Sequence, residues 1–262
     1  MMSLEKLLFS TYRKLKVPLR RLRSRFQAKS PADLLKEQEQ SFRNLGLVRD
    51  IDAVISNFPG LKSSASQGLV SEHYPLFASI AASGFSPQTI LEIGTFDGAF
   101  TRFLSLIFPY AAITTYDLPL EEGFQLEYGR ADQEKYVSER SKNIDDVANV
   151  TLVERNSVSL TLDSVSRFDA IWVDGDHGYP VATMDITNAI RLLTPGGYLV
   201  IDDVFVDVVE ADEKLRSLSS YQTLQAALAG GIIKEFNLVK KRISPHHNLP
   251  WRQKYIAVAR KH

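Results

Sequence analysis

The stretch Ile90-Leu91-Glu92-Ile93-Gly94-Thr95-Phe96-Asp97-Gly98-Ala99-Phe100 constrains the fold more than any other part of the chain. Thr89, Ile90, Leu91 and Ile93 suit a strand covered on both faces, because a run without polar alternation reads as the interior of a parallel sheet. Gly94 and Gly98 permit a tight turn that approaches a ligand with no Cβ in the way. From Ala99 onward apolar residues recur at helical spacing, so the turn opens into a helix whose free N–H groups point at whatever lies over it.

The alternation continues downstream. Strands are expected at 88–93, 112–116, 149–154, 168–173, 198–202, 232–240 and 253–260, with helices at 98–107, 131–142, 179–192 and 209–229. This pattern predicts an α/β fold, a doubly wound and mostly parallel seven-stranded sheet with helices on both faces. No helix separates the last two strands, so they are expected to form an antiparallel C-terminal pair at the sheet edge. Upstream, Ser30-Pro31-Ala32-Asp33 reads as a helix start. Helices near 32–43, 48–57 and 71–83, with a loop from Asn57 to Gly68, make residues 1–85 a basic arm and helical cap. Residues 86–262 form the Rossmann-like body.

The 262 residues carry no net charge, but the balance is uneven. Residues 1–30 hold nine Lys or Arg and one acid, Glu5, so the remainder is net acidic. In residues 1–27, Leu4, Leu7, Leu8, Tyr12, Leu15, Leu19, Leu22 and Phe26 follow a near-helical spacing that Pro18 should kink. Three readings stay open for this arm: peripheral contact with an anionic membrane surface or partner, a basic helix packed on the body or frayed in solvent, and a cleaved targeting peptide. No apolar run is long enough to predict a transmembrane helix, and a cytoplasmic placement is expected. The absence of cysteine excludes disulfides and thiolate metal sites. A net acidic body argues against a nucleic-acid substrate. A homo-oligomer is compatible with the sequence.

In open α/β sheets ligands bind beyond the carboxyl ends of the strands. Polar residues follow five expected strands: Gly94, Thr95, Asp97 and Gly98; Asp117; Asn156 and Ser157; Asp174-Gly175-Asp176-His177; and Asp202-Asp203. An acid at Asp117 suits the two hydroxyls of a ribose, and Asn156 and Ser157 suit an adenine edge. Each has a plainer reading as well. Asp117 would solvate a strand end, Asn156 and Ser157 would be turn residues, Asp174 or Asp176 would cap a helix, and His177 would be a loop histidine. Asp202-Asp203 is harder to read as structural, because adjacent carboxylates repel unless a cation or donors lie nearby.

A nicotinamide dinucleotide needs a G-x-G-x-x-G turn to admit its pyrophosphate. Here Phe96 takes the middle glycine position, Asp97 follows and Glu92 precedes the turn, so the surroundings favour a cationic, phosphate-free ligand. S-adenosylmethionine, with a sulfonium, an ammonium, a ribose diol and an adenine, meets that description.

Three segments, 91–98, 168–179 and 193–204, together with the strand end at Asp117, resemble class I S-adenosylmethionine-dependent methyltransferases. Within these they are most similar to small-molecule O-methyltransferases of the catechol and macrolide or sugar type. The resemblance covers about 85–260 and rests on Leu91-Glu92-Ile93-Gly94-Thr95-Phe96-Asp97-Gly98, Asp174-Gly175-Asp176-His177 and Pro195-Gly196-Gly197 with Asp202-Asp203. It implies that Glu92, Gly94 and Gly98 surround the methionine moiety, that Asp117 takes the ribose and that Ser157 lies against the adenine. It also implies Mg2+ or a similar divalent cation on Asp174, Asp202 and Asp203, holding the hydroxyl of a small acceptor such as a sugar or natural product. His177 stands where catechol-type relatives carry a lysine, and would act as general base. The rival expectations are N- or C-methyl transfer on the same fold, and a non-catalytic cofactor-fold protein that uses its basic arm on membranes. The insert 118–130 reads as a lid or a plain surface excursion, and 244–251 as a surface hairpin loop rather than a histidine metal site.

Overall fold

The computed structural model describes residues 30–58, 70–119, 130–206, 217–243 and 253–262. The basic arm at 1–27, nearly all of the insert at 118–130 and most of the 244–251 loop lie outside the described residues. The same holds for the first half of the helix expected at 209–229.

Among the described residues three helices precede the sheet: α1 (Pro31–Asn44), α2 (Ile51–Asn57) and α3 (His73–Ala82). Ser30 caps α1 by accepting the Asp33 N–H, with Pro31 in the first turn, and Asp50 caps α2 by accepting from Ala53. There follow β1 (Thr89–Ile93), α4 (Ala99–Ile107), β2 (Ala112–Asp117), α5 (Arg130–Ile144) and β3 (Val150–Glu154). The second half holds β4 (Phe168–Val173), α6 (Val181–Leu192), β5 (Leu193–Val204), α7 (Ser219–Ala229), β6 (Ile233–Lys240) and β7 (Tyr255–Lys261).

The strands form one seven-stranded sheet in the order β3-β2-β1-β4-β5-β7-β6. The first five run parallel, and β7 inserts antiparallel between β5 and β6. The doubly wound sheet with an antiparallel C-terminal pair is therefore the observed fold. A 3-10 turn at Ser157–Leu162 was not expected from the sequence.

Successive strand residues point to opposite faces, so each strand feeds two cores. On one face Ile90, Trp172, Val200 and Ile256 pack with Phe42, Val54, Leu76, Phe77 and Phe103. On the other, Leu91, Ile93, Ile171, Val173 and Ile201 pack with Ile186, Ala189 and Leu224. The N-terminal helices α1 to α3 thus share a core with the sheet. That packing brings the start of α3 to the carboxyl ends of β4 and β5.

Between Ile201 and Val204 the β5–β7 register shifts, leaving Asp202 and Asp203 against a single β7 position. Asp203 has φ +50°, a left-handed value rare outside glycine. This bulge breaks the alternation that would send adjacent side chains to opposite faces. It is what lets Asp202 and Asp203 engage one common partner.

Candidate active site

The strand-end rim divides into two halves. Over β1 to β3, the turn after β1 is held by its own chain. A Cβ on Gly94 would lie 2.3 Å from the Asp174 carbonyl oxygen, and Gly94 has φ +101°. A Cβ on Gly98 would lie 3.0 Å from the Ile144 side chain. The sequence reading had these glycines clearing space for a ligand. The structure instead gives the close neighbours as β4's end and α5.

Beneath the turn, Glu92 is fully buried and accepts hydrogen bonds from the hydroxyls of Thr101 and Thr115. Burial pushes its carboxyl up to about 7, against the pull of those two hydroxyls. Thr95 turns its hydroxyl inward, 2.6 Å from that of Thr115. Glu92 and Thr95 thus support the turn from below. Asp97 accepts from the Ala99 N–H at 3.0 Å, at the start of α4. Asp117 accepts from the Phe96 N–H at 2.7 Å and the Leu118 N–H at 2.8 Å, which fixes its carboxylate beside the turn. Burial raises its pKa, opposed by these two N–H groups and by Arg140.

Asn156 caps the 3-10 turn by accepting from Val158, and Ser157 donates to Asp185 on α6 at 2.6 Å. The Ser157 hydroxyl thus spends its proton on α6 and keeps its lone pairs as acceptors. Asp185 was missed by the sequence reading. It is buried, with Oδ2 lacking a hydrogen-bond partner and its carboxyl pushed up to about 6 by burial.

Over β4 to β7 the expected residues converge. His177 Nε2 lies 3.5 Å from Asp203 Oδ2 and 3.8 Å from Asp174 Oδ1. Its backbone carbonyl accepts from the Ser217 hydroxyl at 2.9 Å. Asp174 and Asp202 are within hydrogen-bonding reach of each other. Burial and the neighbouring Asp202 push the Asp174 carboxyl well above the carboxylate range. Burial also opposes charge on Asp202, yet Lys241 and the other neighbours hold it well below the usual range. Burial lowers the His177 pKa more than the aspartates raise it, leaving a neutral imidazole near pH 7.

Two residues that the sequence reading did not single out complete this half. Lys241 donates to Asp202 Oδ2, and to Asp203 Oδ1 at 2.7 Å. Lys254 donates to Asp203 Oδ2. A divalent cation on Asp174, Asp202 and Asp203 does not match this arrangement. Asp202 and Asp203 are already ion-paired to ammonium groups. Among the described residues, no cluster of three His, Asp or Glu side chains is arranged to hold a metal ion. His73, from α3, also reaches this region, with its ring against Trp172 and Nδ1 2.8 Å from the Ser71 hydroxyl. Its position behind an N-terminal helix left no local sequence signal.

Residues 91–204, from β1 to the end of β5, match a family model described as a methyltransferase domain. Over those residues the chain is similar to the class I, S-adenosylmethionine-dependent methyltransferases. Solved structures share this fold at low identity. Cofactor-bound Rv0187 from MTB is 16% identical with a TM-score of 0.56, covering 81% of this chain and 96% of that one. A Staphylococcus aureus protein provisionally described as a caffeoyl-CoA O-methyltransferase is 15% identical with a TM-score of 0.54, covering 78% and 91%. A Klebsiella pneumoniae protein provisionally described as an O-methyltransferase is 19% identical with a TM-score of 0.51, covering 87% and 89%. No curated protein matches the chain. Among the described residues no helix is long and apolar enough to cross a membrane.

Proposed function

We propose that this methyltransferase transfers a methyl group to a hydroxyl of a small molecule, with His177 as the general base. S-adenosylmethionine, when bound, supplies an electrophilic methyl on a sulfonium. The donor set fits it: the carboxylates of Asp97 and Asp117 beside the glycine turn suit hydroxyl and ammonium groups, and Glu92 supports the turn from within. Asp117 would take the ribose hydroxyls with the oxygen lone pairs that Phe96 and Leu118 leave open. Asn156 and the neighbouring 3-10 turn would border the adenine.

The observation that carries the acceptor half is a neutral imidazole held between Asp174 and Asp203. A neutral ring accepts a proton from an alcohol as its oxygen attacks, and the Asp203 carboxylate stabilises the imidazolium that forms. No step needs a divalent ion. Any contact of residues 1–27 with an anionic membrane is a separate proposal, tested by vesicle binding of the full chain.

The test is a panel of hydroxylated acceptors, with amines alongside, read by mass spectrometry for addition of one methyl group. His177→Ala is expected to lower kcat by about 100-fold, the usual contribution of a general base, while leaving cofactor affinity unchanged. Methylation of amines alone would overturn the hydroxyl assignment. Undiminished turnover in His177→Ala would remove the base.

A further inference from the structure

Two adjacent carboxylates at the end of a buried strand need a counter-cation, and the chain supplies one from the other end of the sheet. Asp202 is fully buried and Asp203 nearly so, and the β5 bulge turns both toward one point. Lys241 Nζ occupies that point, donating to an oxygen of each. Lys254 Nζ takes the remaining Asp203 oxygen.

The position of Lys241 is built in, not sampled by a free side chain. It directly follows β6, its N–H donates to the Lys254 carbonyl at 2.9 Å, and its carbonyl accepts from the Glu72 N–H at 2.8 Å. Glu72 in turn accepts a two-pronged ion pair from Arg49, with both contacts at 2.7 Å. The lysine backbone is thus clamped between β7 and the start of α3, with its side chain only 14% exposed.

The charges close without any further ion. Asp202 and Asp203 balance Lys241 and Lys254. A divalent ion placed on the same oxygens would leave the cluster doubly positive in a region sheltered from water, unless a lysine withdrew.

We propose that the Lys241 ammonium is the resident cation of this site, bridging Asp202 and Asp203 where a divalent ion would have to sit. It is a positioning residue: through Asp203 it fixes the carboxylate that faces His177. The link to methyl transfer rests on the proposed function, but exclusion of a divalent ion does not.

The experiment titrates Mn2+ into the metal-stripped full chain and reads the free ion by electron paramagnetic resonance. Wild type, Lys241→Ala, Lys241→Arg and the double variant Lys241→Ala with Asp202→Asn are compared. Near-ultraviolet circular dichroism reports the fold of each, and S-adenosylhomocysteine binding is measured on the same samples. Removing the like charge should unmask the carboxylates, so Lys241→Ala is expected to bind Mn2+ at least ~10-fold more tightly than wild type, about 1.4 kcal/mol. Lys241→Arg should bind no better than wild type, and the double variant should lose the new site.

Wild type that captures Mn2+ as tightly as Lys241→Ala, through a site that Asp202→Asn abolishes, would overturn the proposal. So would a folded Lys241→Ala that gains no site. If Lys241→Ala does not fold, the shorter-range change Lys241→Met takes its place under the same criteria. Absence of S-adenosylhomocysteine binding would count against the proposed function and leave the Mn2+ comparison intact.

Discussion

The two halves of the strand-end rim are built by different means. Over β1 to β3, neighbours in space are often neighbours in sequence: Asp97 with Ala99, Asn156 with Val158, Glu92 with Thr101. Over β4 to β7, the decisive contacts join residues far apart in the chain, such as Lys241 with Asp202 and Lys254 with Asp203. The first half supports a turn mainly by hydroxyls and backbone N–H groups, with one buried arginine, Arg140, paired to Asp117 and Glu154. The second balances buried charge with buried charge. Local hydrogen bonds make a half that tolerates single changes, whereas an ion cluster leaves an uncompensated charge when one member is lost.

The largest effect is expected where the halves meet. Gly94→Ala puts a Cβ against the Asp174 carbonyl, at 2.3 Å and at a φ that disfavours any side chain. A loss of several kcal/mol, or about 10 °C in Tm, should follow by thermal unfolding. Gly196→Ala is the control, since it has a positive φ but nothing within 4 Å, and should lose only about 1 kcal/mol. Equal losses would show that backbone strain, rather than contact between the halves, decides the cost.

Within the second half, Asp202→Asn removes one of the two carboxylates that hold Lys241, leaves the buried cluster with excess positive charge and should cost about 3 kcal/mol by urea unfolding. A loss below about 1 kcal/mol would mean that the cluster relaxes like a surface pair.

The first half is best probed through Glu92. Its carboxyl is raised from 4.5 to about 7 on folding, so the folded state binds the extra proton. The contribution is fully present below about pH 4.5 and is lost as pH rises through about 7. Glu92→Gln should therefore flatten that slope and be more stable than wild type at alkaline pH, by about 3 kcal/mol. An unchanged slope would mean that Glu92 is not the titrating group.

The smallest effect belongs to Lys254→Ala. This side chain is 38% exposed, and its loss leaves Lys241 in place on both aspartates. A change within about 1 kcal/mol is expected by the same unfolding assay.

The contrast between the halves also explains what could be read from the sequence. Strand and helix positions were legible because period and turn residues are local signals, as at Gly94 and Gly98. The antiparallel final pair was legible from the missing helix between β6 and β7. Lys241 and Lys254 were not, although that pairing brings the end of one strand and the start of the next to a shared rim. Asp202-Asp203 was rightly suspected of needing a cation, but a one-residue bulge and a partner 39 positions away supply it from within. The committed hydroxyl of Ser157 depended on Asp185, 28 residues further on, and so had no local sign.

The central claim is that the β1 to β3 rim cradles S-adenosylmethionine through Asp117. Isothermal titration of the full chain with S-adenosylhomocysteine, in wild type and Asp117→Ala, tests it most directly. Binding by the wild type and a loss of about 100-fold in a folded Asp117→Ala are expected, as for two charge-assisted hydrogen bonds. No heat of binding with the wild type, or equal affinity in the two proteins, would contradict it.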